Sequence, residues 1–251
     1  MVFDILYKIS VFGDFLDIEP TPENMVDMIE KFKDYGMIPS VFQEMSLEVD
    51  YINNTQKNEQ LQRLSLVSKD NKERLLISSN RIDFEIMPSD DKAWSDEKLS
   101  EHNKKISDSF RILLEYFKKT SNRLALNSNT IITNIEEKQF KDIFDSFSKP
   151  IGIYNDKSLK KWSTYFVAMK EIVIGGKENL NIITEINEAK EIKNIGQNIY
   201  SKGFLVNIDI NTAPENTDSR FQSGSIGTFI GISNKIKADI IKDIKKAGDL
   251  I

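Results

Sequence analysis

Leu61-Gln62-Arg63-Leu64-Ser65-Leu66-Val67-Ser68, Arg74-Leu75-Leu76-Ile77-Ser78-Ser79 and Arg81-Ile82-Asp83-Phe84-Glu85-Ile86-Met87 are short runs set close together in the chain. In the last of them Ile82, Phe84 and Ile86 alternate with Arg81, Asp83 and Glu85, the period of a strand with one apolar and one wet face. Asp70-Asn71 supplies turn chemistry, because both side chains bond nearby backbone and tolerate the left-handed region. Short alternating runs joined by tight turns predict an antiparallel meander.

Upstream, a polar loop is expected at Asn53-Asn54-Thr55-Gln56-Lys57-Asn58, preceded by a strand from Pro39 through Val49. A helix is predicted over 22–35. Thr21 suits the N-cap and Pro22 the first helical position, Met25, Met28, Ile29 and Phe32 form its apolar stripe, and Gly36 closes it. Ile5, Tyr7, Ile9 and Val11 share one face of an initial strand.

Downstream, Leu99, His102, Ile106, Phe110, Leu113 and Phe117 recur at helical spacing and predict a long helix over 96–119. Arg123–Ile132 reads as a strand, Glu136–Phe147 as a helix, and Lys149-Pro150-Ile151-Gly152 as a break. The boundary between two subdomains, 1–149 and 150–251, is placed at that break. The second half reads as strands 163–174, 180–189 and 203–212, with a hairpin turn at Gly175-Gly176-Lys177-Glu178-Asn179. A closing helix over 229–247 aligns Phe229, Ile232, Ile236, Ile240 and Ile244. The fold class is α+β: two antiparallel sheets flanked by helices.

Composition excludes several function classes. The chain has 251 residues, 39% hydrophobic and 29% charged, which is that of a globular protein. With 34 Lys+Arg against 39 Asp+Glu and a pI near 5.2, no global field draws it to nucleic acid or an anionic membrane. The absence of cysteine removes disulfides, thiolate nucleophiles and Cys-ligated metal sites. No signal peptide is visible after Met1-Val2-Phe3-Asp4 and no apolar run approaches a membrane span, so a cytoplasmic protein is expected. Heavy use of Lys, Asn and Ile fits an AT-rich bacterial gene.

The candidate site residues each have a plain structural reading. His102, the only histidine, is the first catalytic suspect, yet it stands on an apolar helix stripe and reads as a half-buried structural residue. Glu188-Ala189-Lys190 has the Glu-x-Lys spacing of nuclease sites, in which the carboxylate holds Mg²⁺ and the lysine positions water. Glu191-Ile192-Lys193 repeats the triplet at once and no Pro-Asp pair precedes it, so it reads as a product of high charge density. Asp209 lies on the polar side of a strand and could join Asp83 and Glu85 as a hard-cation site only if their sheets met. Gly224, Gly227 and Gly231 match neither a P-loop nor a dinucleotide fingerprint, and read as a flexible entry to the last helix. The basic clusters, Lys118, Lys119 and Arg123, then Lys235, Lys237, Lys242, Lys245 and Lys246, read as solvated faces. Those of the last helix are expected to pair with Asp239 and Asp243. No cofactor and no metal is expected.

Arg123-Leu124-Ala125-Leu126-Asn127-Ser128-Asn129, following a long helix, resembles the Arg-x-Leu-x-Tyr-x-Asn strand of a sporadically distributed family of uncharacterised bacterial proteins of similar length. Ala125 and Asn127 occupy positions where that family favours other residues. The second half, with Val206-Asn207-Ile208-Asp209-Ile210 before the closing helix, also resembles the antiparallel sheet and helix of SecB-type chaperones. The resemblance implies no catalytic residues. With no cysteine, one core-like histidine and no specific catalytic motif, the chain reads as a protein-binding or chaperone-like protein without chemistry of its own, and the SecB resemblance implies that it holds another protein or a second copy of itself. The alternative raised by the family's distribution is a phage-defence protein of the abortive-infection type with RNA as its target.

Overall fold

A computed structural model describes residues 1–50, 55–88, 93–147, 162–189, 192–193, 199–200 and 203–250. In chain order the elements are β1 (Val2–Phe12), α1 (Pro22–Phe32), β2 (Met37–Asp50), β3 (Thr55–Ser68), β4 (Glu73–Ile77), β5 (Arg81–Ile86), α2 (Asp96–Tyr116) and β6 (Arg123–Ile132). Then come α3 (Glu137–Phe147), β7 (Ser163–Val173), β8 (Lys177–Ala189), the short β9 (Ile192–Lys193) and β10 (Ile199–Tyr200), β11 (Gly203–Thr212) and α4 (Ser223–Ala247).

The meander is antiparallel, as its alternation requires, and Asn71 takes the left-handed conformation (φ 59°) in its turn. Thr21 caps α1 by accepting the Asn24 N–H at 3.2 Å, a short 3₁₀ turn Lys33–Tyr35 follows, and Gly36 stops it at φ 65°. Ser95 caps α2 in the same way through the Lys98 N–H. That helix ends at Tyr116 rather than 119, and Lys118 turns out of it at φ 53°.

The expected pair of sheets is one nine-stranded antiparallel sheet, ordered β2-β3-β4-β5-β1-β6-β11-β8-β7, beside a two-stranded β9–β10 ribbon. The join is the β1–β6 ladder, which runs from Val2 opposite Ile132 to Phe12 opposite Arg123. The subdomain boundary at 149/150 lies outside the described residues. Each half of the sheet follows the same path. From β1 the chain passes through α1, returns at the far edge with β2 and works inward to β5. From β6 it passes through α3, returns at the opposite edge with β7 and works inward to β11. The helices that close the halves, α2 and α4, pack on each other.

One face of the sheet and the helices enclose a continuous core. It contains Tyr7, Ile9, Val11, Phe84, Leu126, Phe204, Ile208, Phe110, Leu113, Phe229 and Ile236. A β-bulge between Asp4 and Leu6 changes which side the start of β1 presents. It turns Asp4 onto the helix-covered face with Tyr7, although Asp4 and Leu6 have the same parity.

Two local expectations change. Residues 55–58, expected as loop, begin β3, because their backbone pairs with β2 from Asp50 opposite Thr55 onward. The last helix starts at Ser223, so the loop expected around Gly224 and Gly227 is helical. A Cβ at Gly227 would come within 3.2 Å of Ser107 Oγ, so glycine here permits α4 to approach α2 closely.

Candidate functional site

His102 lies in a cluster with Glu73, Lys105 and Trp94. Its Nδ1 lies 3.4 Å from Glu73 Oε1 and its ring centroid 4.7 Å from that of Trp94. Lys105 bonds the other Glu73 oxygen and donates to the Tyr35 carbonyl at 2.7 Å. Burial raises the Glu73 pKa, but the bonds and charges of His102 and Lys105 outweigh it and hold the carboxyl below its ordinary value. The imidazole is thereby an orienting partner for an ion pair. His102→Ala is expected to lower stability by about 1–2 kcal/mol through lost packing and hydrogen bonding, measurable in urea unfolding at neutral pH. A depressed carboxyl pKa stabilises the fold fully above the unfolded value. As pH falls through the folded value that contribution is lost, so the His102→Ala deficit should shrink in acid.

The other sequence-derived candidates do not converge. Glu188 stands opposite Phe204, on the helix-covered side of β8, so it does not occupy a wet strand face; Lys190 lies outside the described residues. Asp209 is on the other side of the sheet. Register places Glu85, Lys8, Asn127 and Asp209 in one cross-strand row, so Asp209 is three strands from β5, or about 14 Å at ordinary strand spacing. Asp83 is occupied by Ser10 Oγ at 2.6 Å and Arg81 Nε at 2.9 Å. The two sheets do meet, but not at these residues. No group of three or more His, Asp and Glu suited to a metal ion occurs among the described residues.

A cleft of about 490 Å³ opens between the start of β1, the start of α2 and one face of α4. Its deep wall carries an ion pair, Lys237 Nζ to Asp4 Oδ2 at 2.5 Å, and Thr130 Oγ1 donates to Asp4 Oδ1 at 2.5 Å. Beside it the Tyr7 hydroxyl donates to Asn234 Oδ1 at 3.1 Å and lies 3.2 Å from Asn103 Oδ1; burial pushes its pKa far above the ordinary value. These groups satisfy one another. The expected intrahelical pairing of Lys237 gives way to Asp4, because the bulge in β1 brings that carboxylate under α4.

The site that stands out is an edge of the sheet. β7 pairs along its length with β8 and ends the strand order. Tyr165, Val167, Met169 and Val173 alternate on the side away from the helices, and they are 63, 62, 70 and 68% exposed. Phe166 is 42% exposed on the helix side. There, with Ala168, Ile182, Thr184 and Ile186, it walls a groove of about 260 Å³ closed by Phe147 of α3 and Ile240, Asp243 and Ile244 of α4. The outward N–H and C=O groups of this strand have no neighbouring strand among the described residues.

The opposite edge is different. β2 also exposes Ile38, Val41 and Met45, but it carries Pro39, which lacks a donor, and interleaves Ser40, Gln43 and Glu44. β7 places Tyr165-Phe166-Val167-Ala168-Met169 in succession, with no charge or proline among them. A continuous apolar run is the pattern of a strand covered on both faces. The unbroken apolar run was the available signal in the sequence; its edge position was not. Comparison of the chain with family models, curated proteins and solved structures gave no significant match.

Proposed function

We propose that this chain is a non-catalytic protein-binding protein, chaperone-like in action, that receives an extended apolar segment of a partner polypeptide as an added strand at β7. The observation that carries this reading is a strand with the composition of a sheet interior at the sheet's open edge. Strand addition uses backbone hydrogen bonds for affinity and alternate side-chain positions for selectivity. Here one set of partner side chains would lie on Tyr165, Val167 and Met169, and the other would face the groove beside Phe166 and Ala168. The absence of charge over these five residues matches an uncharged, apolar segment rather than an acidic or basic one.

The test is light scattering of a heat-aggregating model client, with titration calorimetry of a ten-residue peptide of alternating Val and Thr. Wild type is expected to suppress aggregation and to bind the peptide. A Val167→Lys, Met169→Lys variant should lose at least about tenfold in affinity, because each substitution places an ammonium against apolar side chains. Full peptide affinity in the folded double variant would overturn the proposal. A wild-type dimer that the double variant dissolves, without peptide binding, would reassign the edge to a second copy of the chain.

A further inference from the structure

At the β7 edge the ladder decides which backbone groups are free. Glu188 N–H donates to the Trp162 carbonyl at 3.3 Å and Ile174 N–H to that of Gly176 at 2.9 Å, one at each end of the β7–β8 ladder. Between them the register is unbroken, from Ser163 opposite Asn187 to Val173 opposite Lys177. In an antiparallel ladder, pairs that exchange hydrogen bonds alternate with pairs that do not, and both backbone groups of one residue point the same way. The even-numbered residues of β7 therefore bond β8. The N–H and C=O groups of Tyr165, Val167 and Met169 point outward, and the side chains of these three lie on the face away from the helices. A strand added at this edge pairs its backbone with them. Its residues opposite Phe166 and Ala168 then turn their side chains to the helix side, where the 260 Å³ groove lies.

That groove is apolar apart from Thr184 and Asp243. Ile240, Asp243 and Ile244 share one face of α4 by their spacings of three and four, so the carboxylate is carried beside the two isoleucines that close the groove. Asp243 is exposed, and it makes no hydrogen bond or ion pair among the described residues. Lys242 and Lys245, its neighbours on the helix, line the Asp4 cleft instead. Phe147 ends α3, whose last turn carries no basic residue, so the negative end of that helix's dipole also lies at the groove.

We infer, on the basis of strand addition at β7, that the received segment, otherwise uncharged, carries one lysine or arginine opposite Phe166–Ala168, its aliphatic stem along the apolar walls and its cationic head at Asp243. Long basic side chains cover apolar surface with their methylenes while the charge stays at a polar rim. The small Ala168 leaves room for such a stem beside Phe166. Lys170, the next helix-side residue of β7, is exposed and does not line the groove. It repels a cation placed opposite itself, which confines the basic residue to the Phe166–Ala168 stretch.

Titration calorimetry of the full chain tests this with the alternating Val and Thr peptide, whose Val side chains meet the edge residues and whose Thr side chains meet the groove. Three further peptides replace one central Thr by Lys, Met or Glu, Met supplying a stem of similar length without charge. Wild type is expected to bind the Lys peptide about threefold to fivefold more tightly than the Met peptide, the upper range for a partly exposed ion pair, and the Glu peptide more weakly than either. The ratio of Lys to Met affinities should approach one in Asp243→Asn, and Asp243→Lys should prefer the Glu peptide. Equal affinity of wild type for the Lys and Met peptides, or a Lys preference that survives in Asp243→Asn, would overturn the inference while leaving strand addition in place. Failure of all four peptides to bind would overturn strand addition itself, and the basic residue with it.

Discussion

Arg63→Ala is expected to be among the most damaging single substitutions in this chain, costing about 3–5 kcal/mol, the scale for breaking a buried ionic group away from its partners. Arg63 sits in β3 with 2% of its surface exposed. Its Nε donates to the Ile77 carbonyl at 3.2 Å, and its terminal nitrogens to the Leu16 and Phe15 carbonyls at 2.8 and 2.6 Å. Glu44 Oε2 lies 3.4 Å from Nε, and the same carboxylate accepts the Ser79 N–H at 2.9 Å and hydroxyl at 2.7 Å. One guanidinium thus pins the segment after β1 and the end of β4 to β3. Alanine would strand these carbonyls and leave Glu44 without its cation, while opening a cavity beneath Phe15. In urea the unfolding midpoint should fall by about 1 M or more, given a slope of about 3 kcal/mol/M for a chain at the upper end of the small-protein range. A fall below about 0.3 M would show that water or a neighbouring side chain replaces the arginine.

Asp4 and Lys237 should show the second large effect, and a strongly non-additive one. Their side chains are 14 and 12% exposed, and they join residues 233 positions apart. Removing Asp4 leaves an ammonium against the Tyr7 ring, 5.3 Å from its centroid, with its ionic partner gone. Removing Lys237 leaves a carboxylate supported by the Thr130 and Ser128 hydroxyls. Each alanine variant is expected to lose about 3 kcal/mol, toward the lower end of the range because the cleft admits water. The double variant should lose about 4 kcal/mol, well short of additive, giving a coupling of about 2 kcal/mol in a denaturation cycle. Additive losses would mean that the two charges act independently.

Both predictions concern charged residues that look ordinary in the sequence. Arg63 occurs in a strand between Gln62 and Leu64, and Lys237 on a helix that also carries Asp239 and Asp243. Their importance comes from acceptors that local pattern does not reach: the Phe15 and Leu16 carbonyls, 48 and 47 positions away, and a carboxylate turned inward by a bulge. The candidate site was legible in part. The unbroken apolar run Tyr165–Met169 is plain in the sequence, but only its place at the end of the strand order makes it exposed. His102, read from the sequence as a half-buried structural histidine, lies beside Glu73 and Trp94.

By itself the sequence determined the kind of the long elements. Alternation of Ile82, Phe84 and Ile86, the Thr21-Pro22 start and the stripe from Ile106 to Leu113 express periods of two and 3.6 residues, which are set by backbone geometry within a few positions. Tertiary structure decided which strands are neighbours. Pairing of β1 with β6 makes one sheet of two halves, and it depends on backbone partners more than a hundred residues apart that any pair of apolar-faced strands could in principle offer. Which strand is left at the edge follows from that choice, because a sheet that does not close must end somewhere. In this chain it ends on β7, whose side chains are those of an interior strand.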